Sequence, residues 1–416
     1  MMGAREARAA VRVVQKYGGT SVADPERMRS VAEQIARTHR RGDEVIVVVS
    51  AMGKETDDLL RLAEEVSGAN RPGREMDMLI TAGERKATAL LCMALHAMGV
   101  PADSFTGSQA GFLTDTNHTN AKILEVKPDR VAEAIAAGRV PVVGGSQGVS
   151  VERDVTFLGR GGSDTTAVAL AEALEADVCE LYTDVSGVFT ADPRLVPDAR
   201  KMHHISFDEL LEMTAAGCPK PAMRSVEFAR NHHVRLHVRS SFTWEVGTWV
   251  TEEESMEHAI ISAVVDDDSE AKVTITGVPD RPGIAASLFR RLADSNVNVD
   301  MIVQNVSEDG VTDISYTAPK EDLGTSLAIT EGLAEEIGAT GVTADSGIAR
   351  VSVVGAGMKS NPGVAATMFE TLAGNGINIE MISTSAIRIS CVIAAEQLEQ
   401  AVVVLHDAYG LSQAPA

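Results

Sequence analysis

Three glycine-bracketed loops carry the side chains on which chemistry can be built. The first, Lys16-Tyr17-Gly18-Gly19-Thr20-Ser21, closes a short β-branched run at 11–14. Glycines there leave backbone N–H groups free to approach a phosphate. The following helix N-terminus adds partial positive charge, and Lys16 adds a full one. On spacing alone a tight structural turn fits as well, and no Gly-x-x-x-x-Gly-Lys-Ser/Thr loop occurs. The second loop, Gly159-Arg160-Gly161-Gly162-Ser163-Asp164-Thr165-Thr166, opens a helix. Arg160 suits a carboxylate and Asp164 an ammonium, so the loop fits a zwitterionic amino acid. A helix cap accounts for Ser163 or Asp164 but not for Gly-Arg-Gly-Gly. The third runs from Tyr182-Thr183-Asp184 to Ala191-Asp192-Pro193-Arg194. Its hydroxyls and acids could take a nucleotide base and ribose; taken alone it is a turn.

The elements that must position these loops alternate. Apolar strand-like runs at 11–14, 45–49, 140–143 and 178–183 are interleaved with helical patterns at 25–38, 57–66, 81–98 and 163–176. That alternation predicts an α/β sheet, largely parallel and covered on both faces. It stops near Val238, and an acidic, irregular stretch over 243–257 marks a domain boundary. Beyond it a unit is repeated without a gap: PGIAASLFRRLADSNVNVDMI at 282–302 and PGVAATMFETLAGNGINIEMI at 362–382. Each copy has a strand, a Pro-Gly turn, an amphipathic helix and a second strand. The duplication predicts two small ferredoxin-like α+β modules.

Composition sets the outer limits. Acidic residues outnumber basic ones 59 to 37, giving a formal charge of −22, which argues against a nucleic-acid partner. With 44 % hydrophobic residues the chain can bury large cores. The 4 cysteines, Cys92, Cys179, Cys218 and Cys391, are scattered and read as idle thiols in a reducing compartment. Neither they nor the 10 histidines show metal-ligand spacing, so no metal site is expected from protein ligands. Residues 1–10 lack a signal-peptide core, and no apolar run reaches membrane-spanning length. A cytoplasmic protein without a membrane partner is expected.

Taken together, the motifs make the chain resemble bacterial aspartate kinases of the amino-acid kinase superfamily, of actinobacterial type, with two C-terminal ACT domains. The resemblance rests on the loops above and on Val48-Val-Ser-Ala-Met-Gly53, Gly83-Glu84-Arg85, Gln147-Gly-Val-Ser150, Arg224-Ser-Val-Glu-Phe-Ala-Arg230 and His237-Val-Arg-Ser-Ser241. It implies an α/β amino-acid-kinase fold over 11–245, then ACT domains over 262–345 and 346–416, with interleaving of the two left open. It implies ATP-dependent phosphorylation of the side-chain carboxylate of L-aspartate, with Mg²⁺ as cofactor. Lys16, Arg160 and Asp164 would be catalytic. Ser50, Thr56, Glu84 and Arg160 would line the aspartate site. Lys16, Gly18, Gly19, Ser21, Thr183, Asp184, Phe189 and Lys220 would hold ATP. Lysine, threonine or both would bind the ACT domains, at Asp280, Gly283, Asn298 and Asp300 in the first and Asn378, Ile379 and Ser385 in the second. Paired ACT domains imply a homo-oligomer. The chain departs from the family pattern at Ser146, Ser186, Pro219 and Ala386. Pro219 stands where a lysine is usual, with Lys220 one place on. Two other readings stay open: an amino-acid sensor with impaired catalysis, and a kinase for another small carboxylate.

Overall fold

A computed structural model describes residues 10–68, 71–252, 260–305 and 310–413. The stretch before residue 10 and the part of the acidic boundary after residue 252 lie outside the described residues. The chain forms two compact units. One contains the chain up to Val188, Lys201–Thr214 and residues 219–252; the other contains Phe189–Arg200, Ala215–Cys218 and the chain from residue 260 on.

The first unit is built on an eight-stranded sheet. At its centre Arg12–Tyr17 pairs in parallel with Glu44–Val49 on one side and with Val178–Thr183 on the other. Val140–Gly144 and Ala102–Phe105 continue it beyond Glu44–Val49; Leu236–Ser240, Thr248–Thr251 and His204–Ser206 continue it beyond Val178–Thr183. The pairs are parallel except Leu236–Ser240 with Thr248–Thr251. Val45 to Val49 are all buried, as a continuous apolar strand covered on both faces must be.

Helices supply the cover. Pro25–Arg40 starts at Asp24, whose carboxylate accepts the N–H groups of Glu26 and Arg27, a cap worth about 1 kcal/mol. It buries Met28, Val31 and Ile35 at helical spacing. Gly73–Ala97 buries Ile80, Glu84, Ala87, Leu91 and Leu95, so a carboxylate sits within its apolar stripe. It begins well before the periodic stretch expected from Thr81. Gly162–Ala173 is buried continuously from Gly162 to Ala171, the pattern of a helix enclosed on all sides. A four-stranded sheet of Ile123–Val126, Phe112–Thr114, Gln147–Ser150 and Val155–Phe157 completes this unit.

The second unit holds two four-stranded sheets, one per repeat. In the first, Ile302–Gln304, Val311–Pro319, Glu270–Pro279 and Gly341–Asp345 lie side by side. In the second the order is Ala263–Asp267, Ile348–Val354, Arg388–Ala394 and Met381–Thr384. The strand Ala263–Asp267 therefore belongs with the second repeat although it precedes the first. The sequence left open whether modules divided at 345/346 interleave; the strand pairing is that of an insertion, with the first module placed between two strands of the second. The cause is long-range pairing that local patterning does not encode.

The two modules also differ in cover. Glu270–Pro279 alternates buried and half-buried residues, whereas Ile348–Val354 is buried throughout. The second core takes in Ala191 and Val196, with Leu195 and Ala199 packed against it, from the stretch Phe189–Arg200.

Candidate active site

Three parallel strand ends meet around the glycine loops. Ser50 N–H donates to the Tyr17 carbonyl at 3.1 Å, and Gly145 N–H donates to the Val49 carbonyl at 2.9 Å. Gly53 N–H donates to the Gly19 carbonyl at 3.0 Å. A Cβ on Gly19 would stand 2.8 Å from the Ala51 carbonyl oxygen and 2.9 Å from that of Gly53. Gly18 is held by the Tyr182 carbonyl at 3.4 Å, and a Cβ there would lie 3.5 Å from Lys16 Nζ. Both glycines keep space open beside the lysine. Ligands of α/β sheets bind at such carboxyl ends of strands.

The charge at this place is a buried ion pair. Lys16 Nζ lies 2.6 Å from Asp164 Oδ1, and both side chains are almost fully enclosed. The Ala222 N–H donates to Asp164 Oδ2 at 3.0 Å. Burial works to raise the Asp164 carboxyl. The charges of Lys16 and Lys220, with the two hydrogen bonds, outweigh it and hold it below the ordinary carboxylate range. Lys220 is pushed the other way. Repulsion from Lys16 lowers its ammonium most, burial adds to that, and Asp164 and Asp184 oppose it. Lys16, Lys220, Asp164 and Asp184 thus share one field.

Around Ser50, Ser163 and Glu84 lies a polar corner. Ser50 Oγ donates to Ser163 Oγ at 2.9 Å, and Ser163 and Ser146 share a second hydroxyl bond of 2.9 Å. Glu84 is 3 % exposed, and its Oε2 finds no partner among the described residues. Burial pushes its carboxyl up to about 7, against hydrogen bonds from its own backbone and from Ala51. Gln147 reaches the same corner: its Nε2 would lie 2.8 Å from a Cβ on Gly144, a position 3.3 Å from Glu84 Cβ. That amide nitrogen also has no partner among the described residues. A buried acceptor and a buried donor left unmatched are costly, and a polar ligand relieves that cost.

The Thr183-Asp184 turn is stitched to the loop after Lys16. Ser241 Oγ donates to Ser21 Oγ at 2.7 Å, and Ser241 N–H donates to the Thr183 carbonyl at 2.9 Å. Thr183 Oγ1 donates to Asp184 Oδ1 at 3.1 Å and accepts the Val185 N–H at 3.1 Å. Ser21 is buried in this stitch. Below it Tyr17 stacks on Tyr182 at 4.8 Å, edge-on to Trp244.

Not every expected residue joins the cluster. Arg160 has a side chain 83 % exposed and lies 3.6 Å from Asp57, at the start of the helix that carries Thr56. Phe189 groups with the second unit, whereas Thr183 and Asp184 belong to the first. Among the effector candidates, Asp280 and Gly283 line a cavity of about 250 Å³ with Pro279, Gln304, Thr312 and Ile314. Gly283 has φ of 98°, which favours glycine at this turn. Asn298 is exposed, and Asp300 is engaged by Arg350. In the second module Asn378 is exposed and Ile379 packs on the core. Ser385 N–H donates to the Arg388 carbonyl at 2.8 Å, and its Oγ accepts the Ile387 N–H at 3.3 Å. Sequence reasoning did not single out Ser163 beyond its capping role, nor Gln147 beyond its motif. Arg224, which donates to the Leu158 and Ala121 carbonyls at 2.9 Å each, ties the Gly159 loop to its neighbour. Their signal is spatial: the partners lie far away in sequence.

Family models and known proteins agree with this geometry. Residues 11–240 match the amino acid kinase family, and residues 272–335 and 351–409 match ACT domain models. The aspartokinase of Mycolicibacterium smegmatis is 55 % identical over 405 residues, 96 % of each chain. That of Mycobacterium tuberculosis strain H37Rv is 54 % identical over the same share. The crystal structure of E. coli aspartokinase III with aspartate and ADP superposes with a TM-score of 0.82 at 26 % identity, covering 95 % of this chain and 99 % of that one. With the amino acid kinase model and two ACT models matched, and more than half of its residues identical to a curated aspartokinase over nearly its whole length, the chain belongs to the aspartokinase family, the kinases that phosphorylate aspartate.

Proposed function

We propose that Lys16, Gly18 and Gly19 receive the transferred phosphates of ATP, and that Lys220, Thr183 and Asp184 complete the nucleotide side. Ser50, Ser163, Thr56 and Glu84 hold L-aspartate. The observation that carries this reading is the enclosed Lys16–Asp164 pair next to the unmatched Glu84 oxygen. The acceptor is a carboxylate with an ordinary pKa of about 3.9, so it reacts already ionised and needs no general base. The barrier is the approach of an anion to a polyanion. Lys16 and the loop amides lower it by neutralising charge that builds on the phosphoryl oxygens, in a site that excludes water. Asp164, 2.6 Å from Nζ, holds Lys16 in place. Ionised Glu84 faces the substrate ammonium, and Arg160, at the open edge, swings from Asp57 to the α-carboxylate.

Among the described residues no group of three or more acidic, histidine or cysteine side chains could cage a metal ion. Exposed Asp184 fits a Mg²⁺ held mainly by phosphate oxygens and water. When bound, Mg²⁺ neutralises phosphate charge.

The Asp280–Gly283 cavity is the size of a small amino acid and supports binding of lysine or threonine there. We place the protein in the cytoplasm as a homo-oligomer joined through its ACT modules. Among the described residues no helix is long and apolar enough to cross a membrane. Steady-state ADP release tests the reading: it should require both Mg²⁺ and aspartate, and glutamate should not replace aspartate. Calorimetry with lysine and threonine, singly and together, tests the effector site; no heat in any combination removes it.

A further inference from the structure

The two repeats carry equivalent cations. Lys272 precedes Val273-Thr274 in the first, and Arg350 precedes Val351-Ser352 in the second. Each crosses to the acid before the methionine of the other repeat: Lys272 to Glu380, and Arg350 to Asp300. The symmetry ends there. Lys272 and Glu380 are partly open, while the Arg350 side chain is 3 % exposed. Arg350 has further partners. Its Nη2 donates to Asp267 Oδ2 at 2.7 Å, and Nη1 lies 3.7 Å from Glu270. Nη2 also donates to the carbonyl oxygen of Ala215 at 3.1 Å.

That last contact leaves the repeats. Ala215 is the final residue of the helix Phe207–Ala215, where helix geometry leaves the last carbonyls without intrahelical donors. A cation there is favoured by the helix dipole as well. The next residues, up to Cys218, group with the ACT unit; Pro219 and Lys220 group with the catalytic unit. A second contact pins the same segment. Gly217 has φ of 121°, and a Cβ on it would lie 2.5 Å from the Asp266 carbonyl oxygen and 2.7 Å from Asp267 Cβ. The chain leading to Lys220 is therefore fixed at Ala215 by Arg350, and at Gly217 by the strand Ala263–Asp267 that Arg350 also grips.

We propose that Arg350 is a positioning residue for the nucleotide site: by holding the segment Ala215–Cys218 it sets where Lys220 stands beside Lys16 and Asp164. The proposal rests on the reading of Lys220 as a nucleotide-side lysine. It explains why one of two equivalent cations has gained extra carboxylates and a backbone carbonyl while the other has not.

Arg350→Lys keeps the charge among Asp267, Glu270 and Asp300 but cannot make the forked contact to Ala215. The Michaelis constant for ATP should rise ~10-fold, as a small misplacement of a binding group does, while that for aspartate stays within about twofold. Gly217→Ala keeps Arg350 itself but crowds Asp266 and Asp267, and should shift the same constant in the same direction. Lys220→Met should raise the ATP constant by itself, and adding Arg350→Lys to it should change nothing further. If Lys220→Met leaves the ATP constant unchanged, the reading of Lys220 fails, and the role of Arg350 with it. If Lys220→Met raises it while Arg350→Lys and Gly217→Ala, both with cooperative melting, do not, the positioning role is overturned. A rise in both substrate constants together would also overturn it. Should Arg350→Lys fail to fold, Gly217→Ala decides alone.

Discussion

Two buried cations organise this molecule, and they are equipped differently. Lys16 is 5 % exposed and lies against one carboxylate, Asp164. Arg350 is 3 % exposed and lies among Asp267, Glu270 and Asp300, with a backbone carbonyl as well. An ammonium has three donors, so a single carboxylate leaves capacity for an incoming anion. The guanidinium fork is committed on both terminal nitrogens. A buried charge with too few partners receives a ligand. A buried charge held by several carboxylates and a carbonyl ties a structure together. The same contrast separates Glu84, with an unmatched oxygen and a carboxyl near 7, from Glu180. Burial works to raise Glu180 too, but His237, Arg239 and Gln15 take it down to about 2.

Breaking the Lys16 side should have the largest effect. Lys16→Met should cut kcat by ~10²–10³, the usual loss when one charge-stabilising donor is removed. It also strands Asp164, which should lower stability by about 3 kcal/mol, and Asp164→Asn in the same chain should restore part of that. Chemical denaturation of the single and double variants reads the second effect.

Glu84 gives the next largest effect and sharpens the contrast through pH. Its folded-state carboxyl, near 7, lies above the ordinary 4.5. Only the ionised form attracts an ammonium, so the Michaelis constant for aspartate should fall as pH rises through about 7. In Glu84→Gln it should be flat over that range and ~10-fold higher at alkaline pH, from the loss of one charged hydrogen bond. Linkage runs the opposite way for the free protein. The raised carboxyl contributes stability that is complete below 4.5 and lost as pH rises through about 7. Melting against pH in wild type and Glu84→Gln should show that difference.

On the Arg350 side the effects should be smaller, because partners remain. Asp300 is partly exposed, and Asp300→Asn leaves Asp267 and Glu270 to balance the arginine. Stability should fall by about 1 kcal/mol, in the range of a single partly screened pair. A loss of several kcal/mol would mean that the cluster depends on Asp300 far more than its exposure suggests.

Much of the catalytic end was legible in the sequence because it is local. A β-branched run ending in Lys16-Tyr17-Gly18-Gly19 announces a strand end with an open backbone, and the structure puts it there. The repeat at Pro282 and Pro362 announced two like modules, and two like sheets are present. What escaped is what depends on distant pairing. The partner of Ile348–Val354 is Ala263–Asp267, across the whole first module, a pairing that local pattern does not encode and that left the question of interleaving open. Phe189 follows a nucleotide-like motif, yet Ala191 and Val196 just beyond it pack into the second ACT core. Asp300 reads as an effector contact from its place after Asn298, but Arg350 engages it. Arg160 reads as a carboxylate binder from its glycine-rich loop, and in this structure its side chain turns outward to Asp57. Loop glycines show where a backbone can bend; they do not fix where a long side chain points.

The most direct test is trapping of the acyl phosphate. Wild type and Lys16→Met are incubated with ATP, Mg²⁺, L-aspartate and hydroxylamine, and aspartyl hydroxamate is measured. The account predicts robust product from wild type and at least ~10²-fold less from Lys16→Met at saturating substrates. Equal product from the two proteins, or none from folded wild type, would contradict the claim that this buried lysine lies at the centre of an aspartate kinase site.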